Sequence, residues 1–115
     1  MHELSTCKRL ISQIEKVANE HQGLTVKSVQ LSIGELARVD VTELVELFPL
    51  AAKDSIAKNA KLQIHIVPIK VFCNNCNKES EVTANDLSCR HCQNQDTSLS
   101  DGTDMLISHI DFSER

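Results

Sequence analysis

From Leu4 the apolar residues fall at Leu4, Cys7, Leu10, Ile11, Ile14, Val17 and Ala18, a three-and-four spacing that lines one face of an amphipathic helix. His21-Gln22-Gly23 ends it, with Gly23 free to take the left-handed C-terminal conformation. Leu24 to Ile33 is rich in Val, Leu and Ile, with Thr25, Lys27 and Gln30 between them. It reads as a strand whose alternation slips by one residue near Ser28 and which Gly34 closes. Asp40-Val41-Thr42-Glu43 fits a capping box, the Asp40 carboxylate accepting from an orphan amide while Glu43 reaches back. The helix it opens is predicted to run to about Lys58, burying Leu44, Leu47, Phe48, Ala51 and Ala52. Pro49 removes the hydrogen bond to the Val45 carbonyl, so a kink or a break is expected there. Leu62, Ile64 and Ile66 alternate with Gln63 and His65, and the run continues through Pro68 to Phe72. That predicts one long strand with a bulge or exposed edge at the proline. Asp104 to Phe112 predicts a last short strand.

Between those two strands, residues 73–100 are polar and poor in aliphatics, so the segment has no apolar core of its own and something else must fold it. The chain has 115 residues, enough for one modest core and a small satellite. The expected fold is α+β: a small sheet with two helices from residues 1–72 and 101–115, interrupted by an insertion at residues 73–100.

Charge and aromatic content narrow the function. Twelve Lys and Arg against sixteen Asp and Glu give a net charge of -4, and there are three Phe with no Trp or Tyr. Phosphate backbones have no electrostatic reason to bind, and the platforms on which bases stack are missing, so no nucleic-acid partner is expected. Nor does any apolar stretch reach the length of a membrane span, and Met1-His2-Glu3 opens with neither a basic nor a hydrophobic region. A soluble, cytoplasmic protein with no membrane partner is the expectation. No Ser/His/Asp arrangement, Gly-rich phosphate loop or paired carboxylates stand out, so no enzymatic activity is expected. His65 and His109 fall in strand patterns and are read as solvated or satisfied.

Four of the five cysteines form Cys73-x2-Cys76 and Cys89-x2-Cys92, twelve residues apart. Each C-x2-C turn points two thiolates at one ion while backbone amides donate to sulfur, and two such knuckles complete a tetrahedron. Zn2+ suits this set best, with rubredoxin-like iron as the alternative. Four thiolates leave no open position, so the metal is structural and the insertion zinc-ribbon-like. His91 lies inside the second knuckle and is read as a loop residue in preference to a competing ligand. Cys7, on the apolar helix face, behaves as a small hydrophobe.

The first residues carry a second metal chemistry. A free Met1 amine, the deprotonated His2 amide and the His2 imidazole can form fused chelate rings about one ion. Nitrogen donors in a plane suit Ni2+ or Cu2+ and suit tetrahedral Zn2+ poorly. The Glu3 amide nitrogen or a side-chain oxygen could supply a fourth donor. A bulky His2 should leave the initiator Met in place.

Met-His-Glu at the start, the amphipathic first helix, the strand ending Ser32-Ile33-Gly34-Glu35 and the two knuckles together resemble the HypA/HybF nickel metallochaperones of [NiFe]-hydrogenase maturation. The resemblance implies a nickel domain of a small sheet with two helices, a separate zinc domain, and transfer of Ni2+ to the hydrogenase large subunit in company with the GTPase HypB. A homodimer is compatible with it. Carried onto this chain, His2 is the principal nickel ligand, with the Met1 amine and the Glu3 backbone as candidates. Cys73, Cys76, Cys89 and Cys92 hold structural zinc. The family also places an acidic residue near nickel where this chain has Asp40; the capping reading of Asp40 is preferred. Arg90 stands where many relatives have a proline, which leaves that knuckle turn less rigid. The alternative function is a zinc-ribbon adaptor in transcription or RNA metabolism.

Overall fold

The computed structural model describes residues 3–20 and 23–114, so the expectations placed on Met1, His2, His21 and Gln22 lie outside the described residues. Helix α1 spans Glu3–Ala18. Cys7, Leu10, Ile11, Ile14 and Ala18 are buried as their spacing predicts, whereas Leu4 and Val17, at the two ends of the stripe, are 42% and 40% exposed. Glu3 takes an interior place instead, 1% exposed. Gly23 has φ 87°, the left-handed conformation expected after the helix.

Strand β1 is Leu24–Gly34. Val26 is buried, Lys27 is exposed, and the inward positions resume at Val29, Leu31 and Ile33. The phase changes where the sequence predicts the slip. Ser28, caught at the shift, is buried but satisfied, its hydroxyl donating to Asp111 Oδ2 at 2.7 Å.

Helix α2 spans Val41–Ala52 and runs through Pro49, where a kink or break was expected, and it ends well short of Lys58. The early end has a local cause. The Ala52 carbonyl accepts from the Ser55 amide at 2.9 Å and from the Ser55 hydroxyl at 2.8 Å, and that hydroxyl accepts from the Ala57 amide at 3.1 Å. A tight turn thus uses the groups that further helix would need. Leu44, Phe48 and Ala52 are buried, while Leu47 and Ala51 are only partly so. The helices α1 and α2 pack on each other, with the Cys7 thiol donating to the Leu44 carbonyl at 3.6 Å. Burying Leu44 and Phe48 contributes roughly 1.5–3 kcal/mol each.

The long strand expected from Leu62 to Phe72 is two strands, β2 (Lys61–Val67) and β3 (Ile69–Cys73), and they belong to different sheets. Pro68 divides them: it has no N–H for a ladder, and the backbone of Gly102 crosses so closely that a Cβ there would lie 2.7 Å from the Pro68 carbonyl oxygen. Gly102 has φ 88°, so a side chain is excluded there on both counts. β4 (Glu79–Val82) and β5 (Thr97–Asp101) flank β3 antiparallel, Phe72 lying opposite Glu79 and Ser98. β6 (Met105–Glu114) completes the other sheet, whose order is β2-β1-β6.

The chain divides into two compact units. One holds the residues up to Leu31, Arg38–Ile64 and the residues from Ile107 on, and so both helices. The other holds Ser32–Ala37 and His65–Leu106, and so β3, β4, β5 and the four clustered cysteines. Its small core is Ile69, Val71 and Val82, with Leu36 packed against them. Of these residues only Val82 comes from the polar segment 73–100. The architecture is α+β, two helices with two small three-stranded sheets.

Candidate metal centre

Cys73 ends β3, Cys76 follows in the next turn, and Cys89 and Cys92 lie in the turns before β5. Their Sγ atoms all fall within 4.8 Å of one another. Cys73 and Cys92 are 3.6 Å apart at sulfur, as are Cys76 and Cys89, so neither pair is a disulfide.

The two knuckles are built alike. The Cys73 amide donates to the Lys78 carbonyl and the Asn77 amide to the Cys73 carbonyl, at 3.0 and 2.9 Å. Sixteen residues on, the Cys89 amide donates to Asn94 and the Gln93 amide to Cys89, both at 2.9 Å. Asn77 and Gln93 close the turns in the left-handed region, φ 59° and 61°, a conformation that asparagine tolerates and glutamine adopts at a cost. These turns aim amides at sulfur: Asn75 and Cys76 donate to Cys73 Sγ at 3.3 and 3.4 Å, and His91 to Cys89 Sγ at 3.3 Å.

Amide donors stabilise thiolate. The backbone amides of Cys92 and His91 hold the Cys89 thiol down at about 6 despite its burial, and the Asn94 amide with the Asn75 side chain lowers Cys92. Burial pushes Cys76 the other way, to about 12, and the neighbouring thiols add to the rise. Four sulfurs this close cannot all be anionic without a cation among them. The donor set fits Zn2+: a tetrahedron with Zn–S bonds of about 2.3 Å has sulfur–sulfur edges of about 3.8 Å, near the spacing found.

His91 stands apart from this group. Its Nε2 lies 3.0 Å from the Glu79 carbonyl, to which it donates, so the ring ties the second knuckle to β4. Arg90 gives that knuckle a tie a proline could not: its amide donates to the Ser80 hydroxyl at 3.2 Å. The Arg90–Asp86 ion pair at 3.3 Å is surface-exposed and contributes little.

At the other site, Met1 and His2 lie outside the described residues, and Glu3 and Asp40 are placed. Asp40 is the N-cap of α2, its Oδ1 accepting from the Glu43 amide at 3.1 Å. The reciprocal half of the capping box differs from expectation. The Asp40 amide donates to Glu3 Oε1 at 3.2 Å, so the carboxylate that closes the box comes from the first turn of α1 and not from Glu43. Glu3 Oε2 is buried with no hydrogen-bond partner among the described residues. A buried carboxylate oxygen in that state calls for a cation or a donor beside it. Cys7, one turn on, has its thiol pushed up by burial and then by the Glu3 charge, and is a packed core thiol. The side chain of Glu3 is what sequence reasoning missed: a first-turn acid ordinarily faces solvent and answers the helix dipole.

Residues 1–112 match the profile of the family described as hydrogenase/urease nickel incorporation, metallochaperone, hypA. The hydrogenase maturation factor HypA of Nitrosospira multiformis is 44% identical over 92 residues, 80% of each chain. The maturation factor HybF of Morganella morganii is 31% identical over 111 residues, 96% of this chain and 98% of its own. Among solved structures, the solution structure of the Ni metallochaperone HypA from Helicobacter pylori covers 100% of both chains at 25% identity, with a TM-score of 0.74. With two helices, small sheets, a four-cysteine cage and a match that runs nearly end to end, the chain belongs to the HypA family of nickel metallochaperones.

Proposed function

We propose that this chain binds Ni2+ at its first residues and delivers it for [NiFe]-hydrogenase maturation. In this reading the Met1 amine, the His2 amide and imidazole and the Glu3 amide are the donors, and Asp40 serves as helix cap. HypB and the hydrogenase large subunit are the partners, the setting is cytoplasmic, and the chain catalyses no reaction of its own. Nickel binding occupies residues 1–72 and 101–115, and zinc binding residues 73–100, where Cys73, Cys76, Cys89 and Cys92 hold the ion. The observation that carries the nickel reading is Glu3: its buried carboxylate ties the start of α1 to the cap of α2, and its second oxygen has no partner among the described residues. Two chelating residues directly before so firm an anchor lose less entropy on closing round an ion.

Amide nitrogens ligate nickel only when deprotonated, so loading releases protons and transfer returns them to His2 and Glu3; affinity falls as pH falls. Zinc, when bound, fastens the two knuckles and supplies no open position for chemistry. Acidity and the shortage of aromatics disfavour the zinc-ribbon adaptor.

His2→Ala in tag-free protein tests the reading. One nickel per chain should be bound before the substitution and none specifically after it, with the zinc content unchanged. Nickel bound equally by both proteins contradicts it.

A further inference from the structure

We propose that the helix-bearing unit carries an anion site, for the phosphates of a diphosphate-containing small molecule, in a groove formed by β1, β6, the start of β2 and the turn that follows α2. Two adjoining hollows make up the groove, about 570 and 430 Å³, and they share Thr25, Val26 and Asn59 as walls. The sizes suit a small ligand. Lys27 and Lys61 line the first hollow and Lys58 the second. All three are exposed, and none forms a salt bridge among the described residues. Asn59 and Gln63 add side-chain amides. In a chain of net charge -4, three lysines along one groove, in no salt bridge among the described residues, make an arrangement that favours an anion.

The single carboxylate in the groove is already engaged. Asp111 Oδ2 accepts from the Ser28 hydroxyl at 2.7 Å and Oδ1 lies 2.7 Å from His109 Nε2. Ser28 above all, then His109, keeps this carboxyl below its ordinary range, with Lys27 contributing from nearby. Thr25 and Ser113, 3.2 Å apart at their hydroxyls, bridge β1 and β6 and make that wall rigid.

Ammonium and side-chain amide donors match phosphate oxygens. Two linked hollows with cations in each match two phosphates better than one. None of the walls is aromatic, so a base would gain no stacking here and the phosphates carry recognition. The proposal is independent of the nickel site, since it uses none of its residues.

The test is an amide-resolved NMR titration of the full-length, zinc-loaded, nickel-free protein with inorganic pyrophosphate. Sulfate at matched ionic strength is the control, and zinc content is checked at the end. Saturable shifts are expected at residues 25–28, 55–61 and 111–113, stronger for pyrophosphate than for sulfate. Lys27→Ala with Lys61→Ala should weaken binding at least about tenfold, the loss of one charged hydrogen bond, while leaving the spectrum of the free protein dispersed. A parallel titration with ADP separates the sources: equal affinity marks free diphosphate as the ligand, and tighter binding a nucleotide. Shifts that follow sulfate equally, or that persist unchanged in the double variant, overturn the proposal.

Discussion

At the scale of single residues, Glu3 and Asp40 divide their labour in a way the sequence half reveals. Asp40 followed three residues later by Glu43 announces an N-cap, and Asp40 does cap α2. The partner for the Asp40 amide is Glu3, thirty-seven residues away in the chain, and no local pattern encodes that. Glu3→Ala should therefore cost about 1–3 kcal/mol in urea unfolding, because a hydrogen bond disappears and a buried side chain leaves a gap. The nickel donors attributed to this region are the amine, amides and imidazole of Met1, His2 and Glu3, none of which the substitution removes. Titration should find nickel still bound one per chain but more weakly, since the anchor has loosened. Unchanged stability would show that the Glu3 carboxylate does not hold the α2 cap.

Elements show where pattern suffices and where it fails. The helical stripe of α1 and the slip in β1 follow directly from the spacing of apolar residues, and both are found. The end of α2 is decided by Ser55, whose hydroxyl and amide capture the Ala52 carbonyl, a contact hidden from periodicity. β2 and β3 read as one strand because the apolar run crosses Pro68, yet a chain without an N–H at that point leaves one sheet and joins another. Segments Glu79–Val82 and Thr97–Asp101 contain too few aliphatics to signal strands, and both pair with β3, next to the two cysteine knuckles. The knuckles themselves were plain from the C-x2-C spacing, since the spacing is the turn. Cys89→Ala should release zinc and collapse the amide dispersion of residues 77–88, whereas the helical circular dichroism of α1 and α2 persists, because Ile69, Val71, Val82 and Leu36 make too small a core to hold the polar strands β4 and β5 against β3. Stoichiometric zinc in that variant, or dispersion retained without it, would contradict a fold fixed by metal.

For the whole molecule, the proposed metal chemistry is sorted by donor type. Four cysteine sulfurs, backed by amides, are gathered in the unit of β3, β4 and β5, and the nitrogen donors proposed for nickel precede α1 in the sequence. A tetrahedral sulfur cage keeps its ion, while a planar nitrogen set at a chain end can give its ion up. That contrast is what a delivery protein requires: one metal to fold it and another to carry. The family membership gives the cargo as nickel, and the proposed donors say how it would be held. A titration comparing the tag-free protein with one extended by Gly-Ser before Met1 tests this most directly. All side chains survive the extension, but the Met1 amine becomes an amide and the chelate with His2 cannot close. The account predicts one nickel per chain with a planar nitrogen-donor absorption spectrum in the tag-free protein, no specific nickel in the extended one, and the same zinc in both. Equal nickel affinity with and without the extension would place the site in side chains alone and contradict it.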